Sequence, residues 1–234
     1  MKKLLLLLFV TFVFGDIKVA TAGNVAFAIK DLGKEFYKEY HIRVVPIVGS
    51  SGKLTAQIER GAPYDVFLSA NMKYPEYLFE HEKTITEPVV YAKGKLVLFA
   101  RDGLKDGLND LFKAKKIAVA NPKTAPYGVL TEHYLKDKNL YHKLKSKFVI
   151  APNISATFSY AMKVTNYGFV ARSLLFKFPK LNNKKHFIEL NDFYERTSQG
   201  AVLLTDKESA REFFRFLFSQ KAKNILKKYG YDVN

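Results

Sequence analysis

The sequence predicts an α/β protein with mostly parallel strands. Two observations carry this. Short apolar runs alternate with amphipathic segments along the whole chain. Several of those runs end in a small polar turn that leads straight into a helical pattern, which puts helix starts at the carboxyl ends of strands. The 234 residues, 48% of them hydrophobic, with 20 Phe and 14 Tyr, are enough for one large or two modest domains with a packed core.

The elements follow in order. A β-like run at 17–22 is broken by Gly23-Asn24. Residues 25–40 are amphipathic, with Val25, Ile29, Leu32, Phe36 and Tyr40 on one face, and Asn24 is a suitable N-cap for that helix. The apolar run 42–48 reads as a buried strand. It ends in Gly49-Ser50-Ser51-Gly52, after which Leu54, Ile58 and Ala62 recur at helical spacing. Strands are predicted at 65–70, 88–91 and 95–100, with a short helix at 75–82 and a connecting helix at 104–112. The strand at 116–120 leads through Asn121-Pro122 to Pro126-Tyr127-Gly128 and a helix over 129–136, which repeats the strand, polar turn, helix arrangement. A strand at 148–150 precedes a helix opened by Asn153-Ile154-Ser155. A strand at 167–171 leads into a helical segment at 173–178, and late strands fall at 187–190 and 200–204. The Phe-rich stretch 209–229 reads as one long helix closed by Gly230.

Four turns therefore precede helices at strand ends: Gly23-Asn24, Ser50-Ser51, Pro126-Tyr127 and Asn153-Ile154. A helix start has unpaired backbone N–H groups and the positive end of the helix dipole, so it attracts anions. None of the four turns requires Lys or Arg. A site built from neutral donors suits a fully ionised tetrahedral oxyanion; a protonated one would bring a donor with no acceptor to meet.

Other chemistries fit less well. Gly49-Ser50-Ser51-Gly52 is not the G-x-S-x-G nucleophile elbow, and His41, His81, His133, His142 and His186 show no spacing for a Ser–His pair or a metal site. Gly52-Lys53 does not make a phosphate-binding loop, because Ile47 and Leu54 stand where that motif needs Gly and Ser or Thr. Lys53 is expected to face solvent. The formal charge is +16, but the Lys residues are spread along the chain among Asp and Glu, with no Arg-rich block interleaved with aromatics. A solvated basic surface is the reading, with no nucleic-acid partner.

Met1-Lys2-Lys3 followed by an apolar run to Phe14 and Gly15 has the form of a secretory signal, with cleavage expected after Gly15. The chain has no cysteine, hence no disulfide and no lipid-modified cysteine. A soluble protein of a Gram-negative periplasm is expected.

Two blocks are specific. One runs from Gly49-Ser50-Ser51-Gly52-Lys53-Leu54 through Gln57-Ile58-Glu59 and Gly61-Ala62-Pro63-Tyr64-Asp65-Val66-Phe67-Leu68-Ser69-Ala70. The other is Ala120-Asn121-Pro122-Lys123-Thr124-Ala125-Pro126-Tyr127-Gly128. With Gly94-Lys95-Leu96-Val97-Leu98, Asn153-Ile154-Ser155, Gly168-Phe169-Val170-Ala171 and Tyr229-Gly230-Tyr231, they resemble the periplasmic molybdate-binding proteins of molybdate ABC transporters over essentially the whole chain after residue 15. The resemblance implies a two-lobed type II periplasmic-binding fold, with helices on both faces of its sheets and the ligand in the cleft between lobes. The lobes would be 16–92 with 195–234, and 93–194. It implies a receptor for molybdate, and tungstate with it, that uses no cofactor or metal cation, has no catalytic residues, acts as a monomer and delivers its anion to a membrane permease driven by a cytoplasmic ATPase. The ligand residues it implies are Gly23 and Asn24, with the Asn24 amide donating where many relatives have Ser; Ser51 through its hydroxyl and backbone N–H, with Ser50 beside it; and the backbone N–H groups of Tyr127 and Ile154. Some relatives add a Tyr hydroxyl where this chain has Ala171. A receptor for sulfate or phosphate, or a periplasmic enzyme on the same fold, are the alternatives.

Overall fold

The computed structural model describes residues 15–190 and 197–233. The apolar run of the predicted signal segment and the predicted lobe boundary at 194 lie outside the described residues. Numbering strands along the chain, one sheet has the order β2 (Val44–Gly49), β1 (Ile17–Ala22), β3 (Val66–Leu68), β10 (Ser198–Leu203), β4 (Val89–Lys93). The other has the order β7 (Phe148–Ala151), β6 (Ile117–Ala120), β8 (Tyr167–Ala171), β5 (Leu96–Ala100), β9 (Phe187–Glu189).

The two sheets repeat one plan. In each, three strands are parallel: β2, β1 and β3 in the first, β7, β6 and β8 in the second. A fourth strand, β10 or β5, then runs antiparallel to the third and pairs antiparallel with the edge strand, β4 or β9. Among the described residues, parallel and antiparallel pairings are thus equal in number, a more even mixture than strand–helix alternation suggests. The chain leaves the first sheet after Lys93 and returns to it at Ser198.

Burial explains the strand sequences. β5 (LVLFA) and β6 (IAVA) are buried throughout, as strands covered on both faces must be. β2 is an edge strand with partly exposed residues, and that position tolerates Pro46, which has no N–H for a ladder. One face of the first sheet is covered by α1 (Ala28–Tyr40), α8 (Glu208–Leu217) and α9 (Gln220–Lys228), the other by α2 (Ser51–Glu59) and α3 (Lys73–Glu80). α1 buries Ala28, Ile29, Leu32 and Phe36, and the Phe36 ring meets Phe213 and Phe216 of α8 at 5.3 and 5.4 Å. Burying such a ring stabilises by about 1.5–3 kcal/mol. The second sheet has its own continuous core, which takes in α5 (Pro126–Asp137) and α7 (Ile154–Tyr160).

Two predicted elements differ. The stretch read as one helix over 209–229 is two helices, α8 and α9, because the Ser219 hydroxyl accepts the Ala222 N–H and caps a new helix start. α1 does not begin at Asn24. A 3-10 turn, Gly23–Val25, intervenes, and the Asn24 side chain is turned into the protein instead of capping.

Candidate functional site

The four predicted turns follow β1, β2, β6 and β7, the first two strands of each parallel set. They meet. Gly23, Asn24, Ser50, Ser51, Tyr127 and Ile154 all line one small cavity of about 10 Å³, completed by Ala22, Gly49, Ala70, Ala125 and Pro126. No charged residue and no histidine is among them. That is about the space of one water-sized sphere, so the turns are already drawn tightly together.

Gly23 sits against the start of α7. A Cβ on it would lie 3.0 Å from Ser155 N and 3.1 Å from Ser155 Oγ, so glycine is what lets the first sheet's turn touch the second sheet's helix. Asn24 is 1% exposed. Its Nδ2 donates to Gln199 Oε1 (2.8 Å) and to Tyr231 OH (3.0 Å), which occupies both amide hydrogens, and its Oδ1 is buried without a partner. In this arrangement both amide hydrogens are engaged within the protein, and the Asn24 backbone N–H, in the first turn of the 3-10 segment, is a further donor that no helical carbonyl can reach.

Ser50 and Ser51 open α2. Ser50 has the extended backbone of an N-cap, yet its hydroxyl makes no cap bond and is buried with no partner. Ser51 is fully buried, and its Oγ accepts the Ala70 N–H at 3.0 Å. A hydroxyl held as an acceptor keeps its own hydrogen to donate. Ser51 also contributes the first N–H of α2, while the next, Gly52 N–H, crosses to the carbonyl of Thr124 at 2.9 Å and ties the helix start to the second sheet's loop. Lys53 is exposed, and a Cβ on Gly52 would lie 2.7 Å from Tyr74 OH and 3.0 Å from the Thr124 carbonyl, so a side chain there would have to displace its neighbours.

The second sheet gives backbone donors. Pro126 is the first residue of α5 and has no N–H, so that of Tyr127 is the first the helix offers, and Ala125 supplies no side-chain cap. Ile154 is the first residue of α7. Asn153 caps that helix by accepting Ala156 N–H at 2.9 Å, which leaves the Ile154 N–H. Tyr127 and Ile154 are 1% and 3% exposed, and both side chains belong to the second core. Ala171 ends β8 opposite Leu96, buried and off the cavity.

Sequence reasoning missed what stands behind Asn24 and Tyr127. Gln199, Tyr91, Tyr231 and Ser173 form a buried polar cluster with them. Burial pushes the Tyr91, Tyr127 and Tyr231 phenols above their ordinary range, so all three remain neutral. The available signal was a Gln beside Gly200-Ala201-Val202-Leu203, a polar residue in an apolar strand run.

Two sheets of one plan, joined by two crossings and closed on a small uncharged cavity of helix starts and hydroxyls, define a two-lobed solute-binding protein. Over residues 17–232 the chain matches the bacterial extracellular solute-binding proteins, and it belongs to that family. It is 35% identical to the molybdate-binding protein ModA of Azotobacter vinelandii, over 93% of this chain and 90% of that one. It is 31% identical to ModA of Rhodobacter capsulatus, over 93% and 88%. The fold is similar to that of the A. vinelandii periplasmic molybdate-binding protein, with a TM-score of 0.86 at 32% identity, covering 94% of this chain and all of the other.

Proposed function

We propose that this protein is the receptor of an ABC importer, capturing molybdate, and tungstate with it, and delivering the anion to a membrane permease. The observation that carries this is Ser51: a fully buried hydroxyl fixed by the Ala70 N–H, at the start of α2, facing a cavity without charged residues. The Ser51 hydroxyl and backbone N–H, the backbone N–H groups of Asn24, Tyr127 and Ile154, the Ser50 hydroxyl and the close approach allowed by Gly23 would hold the oxyanion. Donors come from both sheets, so the ligand favours the closed arrangement, which is the linkage a transport receptor needs. The lobes are 16–92 with 195–234, and 93–194, and they close as rigid parts. The protein works as a monomer in the periplasm, freed from its signal segment after Gly15, and binds without catalysing a reaction on its ligand. Similarity to molybdate-binding relatives supports the choice of anion.

Isothermal titration with molybdate, tungstate, sulfate and phosphate tests it. Tight binding of the first two and weak binding of the others is expected. Tight sulfate binding with absent molybdate binding would make this a receptor for a different oxyanion.

A further inference from the structure

The second sheet has two ends. The cavity lies at one of them, where β6 and β7 finish. The other gathers the starts of β6, β7, β8 and β9 and the finish of β5, as their pairing requires. Within five residues of those strand ends stand eleven Lys and Arg and a single carboxylate, Asp102. The equivalent end of the first sheet, built on the same plan, has six carboxylates there and two cations, Arg43 and Lys207. Lysines that are spread along the sequence are thus collected by the topology on one end of one sheet. Among the described residues, Arg101, with Asp102, is the only one of the eleven in an ion pair. Lys147 Nζ donates to the carbonyls of Leu111 and Phe112 at 3.2 and 2.6 Å. Two more aspartates lie nearby: Asp110 is buried, its carboxylate accepting the Lys105 and Asp106 N–H groups, and Asp106 is exposed. Most of the positive charge is therefore left without a counter-charge. Arg101, Lys113, Lys115 and Lys116 line an open groove of about 450 Å³ with Val164 and Tyr167. Two apolar side chains stand out among these cations, Val164 at 60% exposure and Phe112 at 45%.

We propose that this end of the second sheet docks on the surface of a bilayer containing anionic phospholipid, with the lysines on the headgroups and Val164 and Phe112 entering the headgroup layer. The charge selects an anionic partner, and its layout selects a surface. The cations ring a strand end and do not converge, and none of the buried unpartnered polar atoms among the described residues belongs to the groove, so a small anion finds no enclosed site there. An ammonium on a long flexible stem adapts to a fluid array of phosphates, whereas a folded protein partner needs groups fixed in register. Exposed apolar side chains set among lysines add the burial on which interfacial binding depends. Docked by this end, the protein keeps the cavity, at the far end of β6 and β7, clear of the lipid. A receptor held on the membrane meets its permease at a higher effective concentration than one free in solution. The docking holds whichever anion the cavity takes, so it stands or falls separately from the choice of molybdate.

The test is co-sedimentation of the protein, purified from a periplasmic extract, with vesicles of phosphatidylcholine alone or mixed with phosphatidylglycerol. Binding is expected to the mixture only and to fall as salt rises. The triple change Lys113→Gln, Lys115→Gln, Lys116→Gln is expected to weaken it about tenfold, and Val164→Ser about threefold at the same salt. The control removes the same charge from α9 by Lys223→Gln, Lys227→Gln and Lys228→Gln, and is expected to weaken binding less than about twofold. Equal losses from the two triple variants would mean that net charge alone attracts the protein, and overturn the docking surface. Absent binding to the mixed vesicles, or equal binding to both kinds, overturns it too. Binding to native inner-membrane vesicles that is lost on protease treatment, with none to lipid vesicles, would give this end to a protein partner and overturn the lipid assignment.

Discussion

The two halves of the cavity use different chemistry. The first sheet presents side chains as well as backbone: two serine hydroxyls at the start of α2, beside the backbone N–H groups of Ser51 and, after β1, of Asn24. The second presents backbone only, because the Tyr127 and Ile154 side chains are packed into its core. Hydroxyl donors can be removed by one substitution while the fold stays intact. A backbone donor survives every ordinary substitution and depends on where its helix begins. One half therefore sets what the site can be tuned to bind, and the other supplies a fixed wall set by α5 and α7.

Proline breaks the fixed wall. Ile154→Pro deletes one N–H at the first position of α7, where proline suits the helix, and Asn153 before it already has the extended backbone that a pre-proline residue adopts (φ −158, ψ 173). The lost charge-assisted bond is worth about 1.5–3 kcal/mol, and replacing a 3% exposed Ile adds a packing loss. Titration is expected to show the largest drop in oxyanion affinity of the single changes, with far-ultraviolet circular dichroism retaining the helical signal. Near-natural affinity would take Ile154 out of the wall.

Ser51→Ala is next. It removes a buried hydroxyl donor and also leaves the Ala70 N–H without its acceptor. The affinity loss is about 1.5–3 kcal/mol, and the ligand-free protein loses about 1–3 kcal/mol of stability for the stranded N–H. Chemical denaturation separates the two effects. An affinity loss with no stability loss would mean that Ala70 finds another acceptor.

Legibility in the sequence follows the same division. The strand–turn–helix rhythm located all four loops, since each pattern is local: apolar run, small polar turn, periodic helix. The hydroxyls were legible because Ser50 and Ser51 carry their chemistry in their names. Tyr127 and Ile154 were legible only by resemblance to a family, since nothing about a tyrosine or an isoleucine announces a backbone donor. The Asn24 partners were not legible at all. Gln199 lies 175 residues away, and its bond to Asn24 exists only once the chain has crossed to the second sheet and come back. Asn24 looked like a cap because caps are decided by the next three residues, and a distant partner outcompeted that local choice. The α8–α9 break was hidden for the opposite reason: a local Ser219 cap overrode an apolar period that continues across it.

The smallest effects sharpen the comparison most. Lys53 is exposed beside the two serines, and Lys53→Ala is expected to change affinity less than about twofold, as a neutral-donor site requires. A larger, salt-sensitive loss would mean that the first half also binds by charge. Ser50→Ala should change sign between states. The Ser50 hydroxyl is a buried polar group with no partner, and such a group is unfavourable unless something binds it. Removing it should leave the ligand-free protein equally stable or slightly more so, and should lower affinity by less than Ser51→Ala does, because no neighbour holds the Ser50 hydroxyl in a donating orientation. Thermal melts with and without molybdate read both signs in one experiment. A destabilised ligand-free variant would place Ser50 among the residues that build α2, leaving Ser51 as the one hydroxyl that distinguishes the first half from the second.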